Sequence, residues 1–340
     1  MNNYQEKKLK KIENKYKTFL KRQMPSGLKN VLKRALVKRK KVPYTCGLFM
    51  TDRCNFKCLG CRRSISNINN SKEMKLNTVK QLLSLYSSIK SFTVAGFGEP
   101  TLCEEFVDIV QFLKKEEKKV NIITNGTNID KILQLKYRPD RITISLYGYD
   151  AHSYLTYTRV DKYNHVIENF LRLNEDFNNV RLLYILTRKN YRDLEKILLL
   201  CDRLKPDFLQ LINYLAYDIA NKVEVQKIIT VEDKKIIEYI DELCKSRDYI
   251  RIKPVYIDLE NPKFNCRSYN SRINLDGNGN IGGCLRQKPP DSSYGNIFKE
   301  KDPFNSTEMK RLRRLQHTMA KTKKPPHEEC NYCFGNWCSN

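Results

Sequence analysis

Between Tyr44 and about Tyr214, short runs of β-branched and apolar residues alternate with longer stretches whose apolar positions recur every three or four residues. The pattern predicts strands at 47–51, 91–95, 120–124, 141–146, 180–187 and 208–213. It predicts helices near 77–88, 104–118, 128–135, 164–173 and 191–204. Six strands alternating with helices imply an α/β protein with a parallel sheet and right-handed crossovers. In such architectures the chemistry gathers at the carboxyl ends of the strands. A helix near 231–245 and an extended segment near 250–257 follow. After Pro262 the texture changes, and 272–275, Asp-Gly-Asn-Gly-Asn and Ile281 read as a tight hairpin, since glycine beside Asp and Asn supplies the positive φ such turns need. These shifts divide the chain into an arm at 1–43, a main domain with its linker at 44–262 and a small cysteine-rich α+β domain at 263–340.

Composition narrows the function. No run approaches the 18 or more apolar residues of a membrane-crossing helix, and no apolar core follows the opening Met-Asn-Asn-Tyr-Gln, so a cytoplasmic protein is expected. In a reducing compartment the 12 cysteines of the 340 residues read as metal ligands or redox groups before disulfides. Charge is concentrated: residues 1–41 hold 15 Lys or Arg against Glu6 and Glu13, giving +13 of the formal +25. Within this arm 26–37 has the spacing of a short basic amphipathic helix. Such a face can lie on an anionic membrane surface, touch nucleic acid, or pack on the protein itself.

Cys54, Cys58 and Cys61 form C-x3-C-x2-C directly after the first predicted strand. Three thiolates on one short loop suit an iron–sulfur cluster with one iron open to an outside ligand, whereas structural zinc wants four closed ligands and the loop offers no fourth. The glycine-rich stretch Gly96-Phe97-Gly98-Glu99-Pro100 follows the second strand. Small residues there let a large cofactor approach, and a carboxylate such as Glu99 can pair with an ammonium that would otherwise be desolvated. Thr124-Asn125-Gly126-Thr127 ends the third strand, and Ser145 ends the fourth.

In this order and placement the motifs resemble those of the radical S-adenosylmethionine (SAM) superfamily. The resemblance covers about residues 44–214 and implies a partial (β/α)6 TIM-like barrel. It implies a [4Fe–4S] cluster with an open site on Cys54, Cys58 and Cys61, and SAM contacts from Gly96, Gly98, Glu99, Asn125 and Ser145. Glu99 would take the methionine amino group. An external one-electron reductant, flavodoxin- or ferredoxin-like, would supply the electron that cleaves SAM to methionine and a hydrogen-abstracting 5′-deoxyadenosyl radical. One departure stands out: the family often has an aromatic residue just before the third loop cysteine, where this chain has Gly60, so an adenine contact from that position does not carry over.

Cys266, Cys284, Cys330 and Cys333 supply four thiolates from separated segments, which can close a zinc site or saturate a four-iron cluster. Their arrangement resembles the twitch module, an abbreviated relative of SPASM found behind some radical SAM barrels. That resemblance implies a second, auxiliary [4Fe–4S] cluster able to accept an electron from the substrate. Cys338 is a substitute ligand, a spare thiol or a substrate neighbour. Cys46, Cys103, Cys201 and Cys244 read as small core residues, and His152, His165, His317 and His327 share no ligand spacing.

The expected function is radical SAM oxidation of a hydroxyl-bearing small molecule, or modification of a peptide. An arm of 43 residues falls short of the roughly 80 that a winged-helix peptide-recognition domain needs, which favours the small molecule. An RNA-modifying enzyme, suggested by the basic arm, and a non-catalytic zinc-stabilised binding module are the alternatives. Tyr147, Arg188, Asn213, Arg251 and Tyr256 are candidate substrate contacts, with no catalytic base assigned.

Overall fold

The computed structural model describes residues 41–65, 73–260, 266, 268–284, 294–322, 324, 327, 330 and 332–333. The arm through residue 40, with its amphipathic stretch at 26–37, and Cys338 lie outside them.

Seven parallel strands run through the barrel. They are β1 (Thr45–Phe49), β2 (Ser91–Ala95), β3 (Lys119–Thr124), β4 (Arg141–Ser145), β5 (Val180–Leu186), β6 (Phe208–Asn213) and β7 (Ile250–Ile252). Each is hydrogen-bonded to the next in chain order. On the outside lie α1 (Leu76–Leu85), α2 (Phe106–Lys115), α3 (Asp130–Leu133), α4 (Ala151–Thr158), α5 (Tyr163–Asp176), α6 (Leu194–Leu204) and α7 (Lys234–Cys244). Alternation along the strands decides which side chains meet the helices. Phe92 and Val94 of β2 and Val120 and Ile122 of β3 are fully buried in the main apolar core with Ile109, Val110 and Leu113 of α2, while Thr93, Ala95 and Ile123 face the barrel interior. The result is a partial α/β barrel.

The hairpin after Pro262 forms as β8 (Arg272–Leu275) and β9 (Ile281–Gly282), antiparallel to each other. β8 also pairs in parallel with β1, Thr45 opposite Arg272 and Gly47 opposite Asn274, so the hairpin continues the barrel sheet beyond β1. Asp276 locks the turn: its Oδ1 accepts from the Asn278 and Asn280 amides at 2.9 Å each. A final helix, α8 (Thr307–Thr322), buries Met309, Leu312 and Met319.

Three expectations need correction. The segment at 250–257 is a strand only over Ile250–Ile252, with a single bridge from Ile257 to Thr230. Residues 191–193 form a 3-10 turn before α6 begins at Leu194. The helix expected at 128–135 is one turn, because Leu135 closes onto Ile132 rather than continuing.

Candidate active site

The cysteine loop leaves β1 and is pinned from two sides. Phe56 is buried between the rings of Tyr154 and Tyr147, at 6.1 and 6.4 Å. The Lys57 and Leu59 amides donate to the Thr158 and Tyr157 carbonyls of α4 at 3.1 and 2.9 Å. Helix α4 starts where it does because Asp150 and Ser153 form a reciprocal capping box. Asn55 in the same loop accepts from the Asn125 side chain at 2.8 Å and donates to Thr127 at 2.8 Å, tying the loop to the end of β3. Buried Asn169 of α5 holds that turn, donating to the Gly126 carbonyl at 2.8 Å.

These constraints bring Cys54, Cys58 and Cys61 to one cavity of about 300 Å³ at the carboxyl ends of the strands. Burial pushes the Cys58 thiol up, and Cys61 and Cys54 push it further; burial likewise raises Cys54, with the amide of Phe56 working against it. Metal loading must therefore expel protons from these thiols.

The same cavity is lined by Gly96, Gly98, Glu99, Asn125 and Ser145, the full set expected at the strand ends. Glu99 is 2% exposed. Its Oε1 accepts from the Thr124 and Thr101 hydroxyls at 2.6 and 2.7 Å and from the Thr101 amide at 3.1 Å; its Oε2 accepts from the Asn125 amide at 2.7 Å. Burial nevertheless raises its pKa, against those hydrogen bonds. A carboxylate with one oxygen saturated and the other holding a single donor has room for a cation, and an ammonium there would favour its ionised form. A Cβ on Gly98 would run into the Thr51 and Arg53 carbonyls, so only glycine lets this turn lie against the cysteine loop. The Asn125 side chain is spent on Asn55 and Thr127, which makes it a tether.

Aromatic rings wall the cavity: Tyr147 stacks on Tyr157 at 5.1 Å and 12°, and Phe97 packs on Phe49 and Tyr217 at 5.3 and 5.9 Å. Tyr214, from the end of β6, closes over Gly60, and its hydroxyl donates to Glu224, which also pairs with Lys227. The sequence reading missed Tyr157, Tyr214 and Glu224. Asp150-x-x-Ser153 was a legible start signal for the helix carrying Tyr157, whereas nothing local links Tyr214 to residue 60.

Of the candidate substrate contacts, Tyr147 and Asn213 line the cavity, but the Asn213 amide is committed to the Ile229 and Val255 carbonyls at 2.7 and 3.1 Å. Arg188 pairs with Asp233 at 2.8 Å. Arg251 lies over Phe208, the first residue of β6, at the opposite end of the barrel from the cysteines. Tyr256 packs against the core. Cys46, Cys103, Cys201 and Cys244 are buried as expected.

Residues 48–201 match the family model described as the radical SAM superfamily. Over these residues the chain is similar to a radical SAM domain. Its cofactors are a [4Fe–4S] cluster and SAM. Similarity beyond the domain is distant. A probable GTP 3′,8-cyclase of Pyrococcus abyssi is 27% identical over 143 residues, 41% of this chain and 46% of that protein, so the match spans less than half of that relative. A namesake from Saccharolobus islandicus (strain Y.N.15.51 / Yellowstone #2) is 28% identical over 259 residues, 69% of this chain and 80% of that one. Among solved structures, Streptococcus suis SuiB bound to S-adenosylmethionine superposes with a TM-score of 0.69 at 16% identity, covering 90% of this chain and 76% of its own. Native anSMEcpe with bound AdoMet gives 0.62 at 21% identity, covering 87% and 88%. At such identities these structures establish a shared fold.

Cys284 and Cys330 of the C-terminal cysteines lie near Tyr269. Burial raises its pKa most, and Cys284, Tyr294 and Cys330 add to the rise. Cys266 Sγ lies 3.2 Å from the Ser268 hydroxyl, just before Tyr269, and the Cys333 amide donates to the Cys330 carbonyl at 3.2 Å. Tyr294 and Tyr269 pack with His327, whose Nε2 is 2.9 Å from the Tyr294 hydroxyl. Among the described residues no three Cys, His, Asp or Glu side chains converge as ligands of a single ion. A four-iron cube binds each thiolate to a separate iron, so its ligands surround the cube instead of meeting at one ion.

Proposed function

We propose that the protein is a radical SAM oxidoreductase in which Cys54, Cys58 and Cys61 hold the cluster and Glu99 receives the methionine ammonium of SAM. The observation that carries this reading is the convergence of the three thiols and the under-saturated, buried Glu99 carboxylate on one cavity. When bound, the two groups supply one-electron cleavage of a sulfonium and a radical able to take hydrogen from an unactivated carbon.

The chain's own residues do the positioning. Gly98 lets the turn before Glu99 lie against the cysteine loop, Asn125 and Asn55 fix that loop to the strand end, and Ser145 lines the floor. Tyr147, Tyr157, Phe97 and Tyr214 exclude water, which protects a reactive carbon radical from side reactions.

In this reading Cys266, Cys284, Cys330 and Cys333 bind an auxiliary [4Fe–4S] cluster, which when present supplies an electron acceptor for net two-electron oxidation. Residues 44–262 and 263–340 are then the catalytic and auxiliary domains, with the basic arm at 1–43. The substrate is a small molecule or a peptide side chain presented at the barrel mouth. Peptides are bound by SuiB, solved with the precursor peptide SuiA, and by anSMEcpe, solved with the Cp18Cys peptide.

Anaerobic reconstitution with iron and sulfide, followed by SAM and a one-electron reductant, tests the reading. It predicts 5′-deoxyadenosine from the wild type and none from Cys58→Ala; undiminished production by that variant would refute the ligand assignment.

A further inference from the structure

The strands that carry the active site at their carboxyl ends carry arginines at their other ends. Arg141 opens β4, Arg181 is the second residue of β5, and Arg251 sits at the centre of β7. Ser145 of β4 and Leu183 and Ile185 of β5 face the cavity, so strand alternation turns Arg141 and Arg181 to the same interior side. The Arg181 guanidinium lies 4.2 Å above the Phe208 ring centre, and that of Arg251 lies 6.0 Å from the same centre. Arg141 Nε donates to Asn121 Oδ1 at 3.2 Å, and Arg181 Nε to Asn179 Oδ1 at 2.6 Å, so both are steered by neutral amides. Among the described residues none of the three closes an ion pair with a carboxylate.

The charges oppose one another. Burial pushes the Arg181 pKa down to about 10, Arg141 and Arg251 push the same way, and Asp207, which accepts from the Val180 amide at 3.0 Å, offsets them in part. The start of β8 is polar as well. Arg272 and Asn274 of β8 lie beside inward-facing positions of β1, and Arg272 Nε and both polar atoms of the fully buried Asn274 have no hydrogen-bond partner. Half-buried Arg141 and Arg181, with the exposed Arg251 beside the same Phe208 ring and their forked donors unspent on acids, suit an oxyanion with several acceptors.

We propose that Arg141, Arg181 and Arg251 form a diphosphate-binding site at the amino-terminal mouth of the barrel, separate from the SAM cavity. Its ligand chemistry is that of linked phosphoryl groups, either as inorganic pyrophosphate or as the diphosphate of a nucleotide. The site stands independently of the radical reading, since it shares no residue with the cysteine cavity.

Thermal unfolding of the full chain at constant ionic strength, with pyrophosphate, ADP or matched sodium chloride, tests it. A ligand that binds only the folded state raises the midpoint. The wild type is expected to rise with pyrophosphate above the chloride control, and the apparent affinity to fall at least tenfold in Arg181→Gln and in the exposed, fold-neutral Arg251→Gln. A rise with ADP as well assigns the nucleotide source; a rise with pyrophosphate alone assigns the inorganic one. No rise in the wild type, or an undiminished rise in both variants, overturns the proposal.

Discussion

The ring of Tyr214 occupies the space that any side chain at residue 60 would need: a Cβ built on Gly60 would collide with its hydroxyl and ring carbons. Gly60 also has φ +71°, in the left-handed region that favours glycine. An aromatic ring beside the third loop cysteine is thus supplied from β6 instead of from the loop. Gly60→Phe should destabilise the protein by about 2–4 kcal/mol through overpacking and backbone strain. Adding Tyr214→Ala should recover the packing part of that loss. A double-mutant cycle from denaturant unfolding measures the coupling, and strict additivity would contradict it.

Glu99→Gln should leave iron content unchanged while weakening SAM at least tenfold, because a neutral amide cannot pair with the methionine ammonium. Equilibrium dialysis of anaerobically reconstituted protein reads this directly. Unaltered affinity would take Glu99 out of the SAM site.

Phe56 anchors the cysteine loop, so Phe56→Ala should cost about 3–5 kcal/mol of stability. The loop should also retain less iron after gel filtration, with Phe56→Leu intermediate in both measurements. Full iron retention in the alanine variant would show that the hydrogen bonds to Thr158 and Tyr157 suffice alone.

Much of the barrel was legible because its strands alternate so regularly: Phe92 and Val94 outward, Thr93 and Ala95 inward, with β2 and β6 bounded as the pattern predicts. The cysteine triad and Glu99 were legible as local motifs at strand ends. Helix α4 was marked only at its start, by Asp150-x-x-Ser153, since its face is carried by Tyr154, Tyr157 and Thr158 in place of an aliphatic stripe. Helix α8 was hidden by its arginines, which mask Met309, Leu312 and Met319. The pairing of β8 with β1 joins distant parts of the chain, and no local pattern encodes such a register. Arg251 was misplaced for a related reason: the end of the barrel a strand residue occupies depends on where that strand starts, and β7 is short.

Glu224 gives a pH signature. Burial works against its ionisation, but hydrogen bonds from Lys227 and Tyr214 prevail and hold its carboxyl below the usual range. A depressed folded pKa adds stability above the unfolded value of about 4.3, which is lost as pH falls through the folded value. Glu224→Gln should therefore be less stable than the wild type at pH 7, with the gap narrowing below about pH 4. Chemical unfolding across that range checks it, and a pH-independent gap would contradict the assignment.

Cys333→Ala should spare formation of 5′-deoxyadenosine more than formation of oxidised product, if the C-terminal cysteines hold an electron acceptor. Chromatographic quantification of both, once a substrate is in hand, separates the cases. Equal loss of both would point to a structural role for this site.

The most direct test of the central claim is electron paramagnetic resonance of reduced, anaerobically reconstituted protein in which Cys266, Cys284, Cys330 and Cys333 are all replaced by Ala, recorded with and without SAM. The account predicts a reduced four-iron signal from the Cys54, Cys58 and Cys61 site whose g-values shift when SAM is added. A signal that SAM leaves unchanged, or no four-iron signal at all, would contradict it.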